Sequence, residues 1–182
     1  MVIYLLLLAS LAGVYSLYLG RPLSQLYYLE RPGLWSLSVE LELSLGVAVG
    51  LSVVGLSRLI SRRYEWARRI DQDFGALFAG HSSLQLTGLA LMSSLSEELL
   101  FRGVLLDAIG LTWSALLFGV LHVPLERHHW PWSAAALMMG FVFGGVTLLT
   151  GSVTVALIAH FTVNHFNLHA LRALTTGQQE GI

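Results

Sequence analysis

Within an apolar run from about Leu84 to Ile109, three ionisable residues fall inside six positions: Glu97, Glu98 and Arg102, in the stretch Ser96-Glu97-Glu98-Leu99-Leu100-Phe101-Arg102-Gly103. The run is long enough to cross a bilayer as a helix. Each charge at that depth costs roughly 2.5–3.5 kcal/mol on insertion scales, so the three must be paired, wetted or used. On a helix Glu98 and Arg102 are i and i+4 and can pair on one face, whereas Glu97 is turned about 100° from Glu98 and lacks that partner. Glu97 is therefore the carboxylate left for chemistry.

Further polar groups fall inside later apolar runs: His122 in one, and His160 with Asn164 in another. Glu97 lies thirteen residues before Gly110 and His122 twelve after it. At about 1.5 Å of rise per residue, both sit roughly 18–20 Å from a turn at Gly110 on adjacent antiparallel helices. His160 and Asn164 lie about 14 and 20 Å from a second turn at Gly151 and share a helix face. Four groups from three helices can thus meet at one depth. A carboxylate, two imidazoles and a carboxamide can support peptide hydrolysis without a nucleophilic side chain. Glu97 would take a proton from water, His122 would hold or polarise that water, and His160 with Asn164 would donate to the oxyanion. Glu98 with Arg102 would steady the helix and bias the charge on Glu97. Taken singly, a membrane-embedded His or Asn is an interhelical hydrogen-bond partner and a Glu–Arg pair is structural. The shared depth and the unpaired Glu97 favour a site.

These residues need apolar helices to position them, and the composition supplies them. The chain has 182 residues, of which 55% are hydrophobic and 12% charged, with a mean hydropathy of +0.69. Soluble domains carry about a quarter charged residues, so the expected class is an all-α polytopic membrane protein of about six transmembrane helices. The formal net charge of −1 and the absence of a basic tail argue against nucleic acid as a partner. Without cysteine there are no disulfides, thiolate metal sites or cysteine nucleophile.

In order, Met1 to Gly20 is expected to be a retained first span rather than a cleaved signal peptide. Leu34 to Ile60 is the second, with Glu40 and Glu42 expected at the interface or snorkelling toward water. Arg58, Arg62, Arg63, Arg68 and Arg69, with Trp66, predict an amphipathic connection along an anionic membrane surface. Leu84 to Ile109 is the third span and Trp113 to about Val123 the fourth. His128 and His129 are read as solvated loop histidines. Ser133 to Thr150 is the fifth span, with Gly140, Gly144 and Gly145 allowing close helix contact. Ser152 to about Leu171 is the sixth, carrying His165 and His169 as interface residues, and the tail from Thr175 is expected to fray. The division is thus residues 1–75, two N-terminal helices and the Arg-rich connection, and 76–182, a four-helix catalytic core. With the N-terminus inside, seven arginines fall on the cytoplasmic side against Arg21 and Arg31 on the other, which favours that orientation.

Glu97-Glu98-x-x-x-Arg102, then Phe118-x-x-x-His122, then His160-x-x-x-Asn164, in that order on successive apolar segments, resemble the three motifs of the CPBP intramembrane glutamic endopeptidases. That family is also called Abi and includes the type II CAAX prenyl proteases and bacteriocin-processing or self-immunity proteins. The resemblance covers about Leu84 to Leu171. It implies a membrane protease in which Glu97 and His122 activate water and His160 with Asn164 stabilise the oxyanion. Glu98, Arg102 and Phe118 act in support, and no cofactor or metal is implied. Its partners would be a membrane-anchored protein or peptide substrate and the lipid bilayer, in the bacterial inner membrane. Only two spans precede the motifs, fewer than in eukaryotic CAAX enzymes. The compact size resembles bacterial members that process sorting tails, the myxosortase type among them.

Two other readings use the same residues. Two His and one Glu are a known catalytic zinc set, although no His-Glu-x-x-His is present. A non-catalytic membrane protein that binds a peptide, as an immunity factor does, is the other.

Overall fold

Large apolar side chains cover the outside of this protein as well as its core: Leu84, Leu91, Met92, Val120, Met138 and Val142 are all exposed in the computed structural model. An exterior of that kind is stable against acyl chains rather than water. Three stretches, Val39–Arg63, Ser83–Leu121 and Arg127–Thr150, are long and apolar enough to cross a bilayer. The chain is an all-α integral membrane protein. The structure describes residues 33–124 and 126–179, together with isolated positions at 10, 13, 17, 20, 22, 28 and 29; side-chain surroundings are described to residue 174. The first expected span, Met1 to Gly20, lies outside the described residues apart from those positions. Among the described residues no strand forms, and Tyr28 and Ser152 make an isolated antiparallel bridge.

Helix α1, Val39–Arg63, starts after Ser38, whose hydroxyl accepts from the Leu41 amide. Tyr64, extended, breaks it from α2, Glu65–Phe78, which buries Ala67, Ile70 and Gly75 and exposes its charges. The Arg-rich connection is thus helical, and that buried face packs on the last helix and on the turn before α5. Helix α3, Ser83–Leu100, opens on a capping box between Ser82 and Gln85. It continues through a π-helical turn, Phe101–Leu105, into α4, Leu106–Leu121.

The chain reverses inside α4 at Gly110, whose φ of 78° and ψ of 171° no β-substituted residue adopts readily. The second half of α4 folds back on the π turn, so that the Ser114 hydroxyl donates to the Phe101 carbonyl at 3.0 Å. The Phe101 and Phe118 rings meet edge to face at 4.9 Å. After a 3₁₀ turn, Arg127–His129, comes α5, Trp130–Thr150, with Pro131 in its first turn and left-handed Gly151 closing it. Helix α6, Thr154–Gln179, ends the described chain, so helix continues where a frayed tail is expected.

Helix α6 is the axis of packing. It falls below the hydropathy of a membrane span because His160, Asn164, His165 and His169 lie along it, turned toward other helices. Helix α1 lies close on it through Gly46 and Gly50. A Cβ at Gly46 would come within 2.7 Å of the Ile158 Cβ, and one at Gly50 within 2.6 Å of the Thr162 Cβ. Such small-residue spacing lets backbones approach where lipid supplies no hydrophobic drive between helices. On α5, Gly140 meets Ala115 and Gly144 meets Leu111, as expected of a close contact, whereas Gly145 faces open space. Glu42 also departs from expectation. It is buried and accepts a 3.0 Å hydrogen bond from the Ser152 hydroxyl, because the α5–α6 turn offers a donor nearer than bulk water.

Gly50→Ala is expected to destabilise the protein by about 1–3 kcal/mol through overpacking. Gly55→Ala, at a site with nothing within 4 Å, should be neutral or stabilising by up to about 1 kcal/mol. Denaturation midpoints in detergent would compare the two, and equal effects would rule out the close α1–α6 contact.

Candidate active site

Arg102 is the largest fully buried side chain among the described residues, with 1% of its surface exposed. It lies in the π turn, the local widening that in other helices marks functional positions. One guanidinium nitrogen donates to Glu98 Oε1 at 3.0 Å and another to the Met139 carbonyl at 3.4 Å. The faces of Phe118, Phe143 and Phe101 surround it at 4.6, 5.4 and 5.9 Å. Cation–π contact of this kind is strongest where water is excluded.

Glu98 is shared. The oxygen that pairs with Arg102 also lies 2.6 Å from His160 Nδ1. A carboxylate only accepts, so Nδ1 carries the proton and donates. His160 Nε2 is then a donor only when the ring holds a second proton. Helix α6 brings His160 against Glu98 rather than against Glu97. Phe143 stacks beside the His160 ring at 5.5 Å, tilted by 34°.

Glu97, one residue earlier, is turned to another neighbour. Its Oε2 is buried without a hydrogen-bond partner among the described residues and lies 3.8 Å from His122 Nε2. His122 caps the C-terminal end of α4 and is fixed on several sides. Its Nδ1 donates to the Phe118 carbonyl at 2.7 Å, its own carbonyl accepts from the Ser133 hydroxyl at 2.8 Å, and Trp132 packs edge-on to its ring at 5.2 Å. The Nδ1 bond sets the tautomer. In the neutral ring Nε2 is an acceptor facing the Glu97 oxygen. The two acceptors lie too far apart to bond each other, and their spacing suits one water bonded to both.

Asn164 stands one turn along. Its amide donates to the Ser93 hydroxyl at 3.0 Å, and Ser93 is i−4 to Glu97, hence on the same face of α3. The structure therefore places the expected residues as a pair, a triad and a neighbour: Glu97 with His122, Glu98 with Arg102 and His160, and Asn164 through Ser93. Phe118 lies between the pair and the triad. Its ring touches Phe101, Arg102, His122 at 4.5 Å and His160 at 6.1 Å, and its carbonyl holds His122. Sequence reasoning missed Ser93 and Phe143. Their spacing carries a weak signal, since Ser93 is i−4 to Glu97 and Phe143 lies on a face with Gly140, but neither type stands out in an apolar helix.

The structure gives partners to four further histidines and corrects the expectation for two of them, His128 and His129. His165 and His169 are half-buried, and both bond the Thr87 hydroxyl, at 3.3 and 3.2 Å, because α3 runs antiparallel along that face of α6. His128 and His129 are not simply solvated. Both reach Asp73 Oδ2 of α2, at 3.1 and 3.0 Å. Hydrogen bonds from His129 and His128 hold the Asp73 carboxyl below the usual carboxylate range.

Residues 79–166 match the family described as Type II CAAX prenyl endopeptidase Rce1-like. The chain is also similar to the uncharacterized protein YpbD of Bacillus subtilis (strain 168), 32% identical over 90 residues, which are 48% of this chain and 46% of that relative. It thus spans about half the length of the curated relative it matches. No solved structure matches.

Arg102→Met removes the partner of a buried carboxylate and is expected to cost about 3–5 kcal/mol. Adding Glu98→Gln to Arg102→Met should recover a large part of that loss, since no uncompensated charge remains. Thermal unfolding of the purified single and double variants tests this, and additive losses would mean that the pair is not the coupled unit described.

Proposed function

We propose that this integral membrane protein, whose residues 79–166 belong with the Rce1-like, CAAX-type intramembrane proteases, hydrolyses a peptide bond of a membrane-anchored protein or peptide with water activated between Glu97 and His122. One observation carries the reading: the buried Glu97 Oε2, without a hydrogen-bond partner among the described residues, lies 3.8 Å from a His122 nitrogen whose ring is already oriented from its far side. A water oxygen about 2.8 Å from each closes a triangle over that gap. It would donate one hydrogen to Glu97 and the other to His122, which leaves a lone pair for the scissile carbonyl.

The attack forms a C–O bond while the water proton passes to Glu97. The oxyanion is met by the amide hydrogen of Asn164 not used on Ser93 and, with both ring nitrogens protonated, by His160 Nε2–H. Collapse of the intermediate breaks the C–N bond as Glu97 returns its proton to the leaving nitrogen. Glu97, His122, His160 and Asn164 are the catalytic residues of this reading, and the cycle closes without a cofactor. Glu98, Arg102 and Phe118 are positioning residues.

The site is framed by apolar helices, so a substrate has to bring its peptide to membrane depth. A segment beside a membrane anchor, such as a C-terminal sorting tail, meets that requirement. The arginine distribution supports a cytoplasmic N-terminus.

Glu97→Gln keeps the side-chain shape and removes the base. Cleavage is expected to fall by about 10²–10⁴-fold, with uncut precursors accumulating among the membrane proteins of a strain carrying the variant. Unchanged processing would overturn the reading, and retention of full biological function would favour a peptide-binding protein instead.

A further inference from the structure

We propose that Asp73, His128 and His129 form a binding site for a zinc-class divalent cation, with Glu126 orienting one of the imidazoles, apart from the Glu97 site. The ligand atoms Asp73 Oδ2, His128 Nε2 and His129 Nε2 lie within 4.8 Å of one another. Both nitrogens are 3.0–3.1 Å from the carboxylate oxygen. Tetrahedral metal–ligand bonds of about 2.0–2.2 Å give ligand–ligand edges of about 3.3–3.6 Å, so the two nitrogen–oxygen edges need to open by only a few tenths of an ångström to admit an ion.

His128 supplies the sharper argument. A carboxylate faces each of its ring nitrogens: Asp73 at Nε2, 3.1 Å away, and Glu126 at Nδ1, 3.3 Å away. A neutral imidazole has one N–H, so without a metal only the doubly protonated ring donates to both. A cation on Nε2 with Nδ1–H donating to Glu126 satisfies every group, and this is the carboxylate–histidine–metal arrangement found around zinc. His129 is held ready. Its ring stacks on Phe74 at 5.2 Å and 24°, and its side chain is 14% exposed. Two adjacent residues aimed at one carboxylate are unusual on a helix; the 3₁₀ turn makes it possible.

One carboxylate and two imidazoles suit zinc and its neighbours among first-row metals, and leave further coordination positions for water. The site joins α2 to the turn that begins α5. Phe74, stacked on His129, also contacts Trp132, the residue that packs on His122. An ion there would brace the wall behind the His122 ring.

The test uses the full chain, stripped of metal in detergent, with zinc competed against a chromophoric chelator and with cobalt as a spectroscopic probe. Wild type should bind one zinc per chain, with Asp73→Asn weakening it at least tenfold and Glu126→Gln by about tenfold. Glu97→Gln should leave zinc affinity unchanged, which separates this site from the proposed protease centre. Matching unfolding midpoints of the metal-free proteins would show that the variants fold. Zinc binding no tighter in wild type than in the Asp73→Asn, His128→Gln, His129→Gln triple variant, or lost in Glu97→Gln, would overturn the proposal.

Discussion

A guanidinium sealed inside a membrane protein has to be neutralised and hydrogen-bonded where it stands, because no water is available to share its charge. In this chain Arg102 sets that condition. Glu98 supplies the counter-charge, the Met139 carbonyl takes a second N–H, and three phenylalanine rings present their faces. These partners come from the end of α3, from α4 and from α5, so satisfying one cation aligns three helices. The same demand engages one oxygen of Glu98, which Arg102 and His160 share, and leaves Glu97 facing His122. The division of labour between adjacent carboxylates is set by which of them the arginine claims.

The α3–α6 seam extends this logic along the length of the helices. His160 meets Glu98, Asn164 meets Ser93, His165 and His169 meet Thr87, and Arg172 meets Ser83. The order is antiparallel and each rung pairs a polar group of α6 with one of α3. Interhelical hydrogen bonds of this sort hold helices together where lipid is as apolar as leucine. The opposite side of α6 is served differently, by Gly46 and Gly50 of α1, which admit its backbone at close range. One helix is therefore gripped by polar contacts on one flank and by shape on the other.

At the His122 end the architecture changes character. A helix C-terminus leaves carbonyls without intrahelical partners, and Ser133 takes up that of His122. The amphipathic α2 with its Asp73, the 3₁₀ turn and Trp132 close over this end, making a polar rim on an apolar body. His122 thus sits where the buried seam gives way to the edge of the fold, within reach of both.

Much of this was legible in the residues alone. Charges inside apolar runs named Glu97, Glu98 and Arg102; i,i+4 spacing paired two of them; and turns at Gly110 and Gly151 set the depth at which His122 and His160 arrive. Those inferences depend on local geometry, the rise and period of a helix and the cost of a charge in lipid, which any stretch of sequence carries with it. The residues did not carry the choice among partners within reach. That His160 engages Glu98 rather than the Glu97 region, that Glu42 turns inward to Ser152, that His128 and His129 share Asp73, and that a π turn holds Arg102 depend on where helices far apart in the chain come to lie. Helical periodicity restricts the face a side chain occupies, and only the packing of α1, α3, α5 and α6 around one another determined which neighbour stood there to meet it.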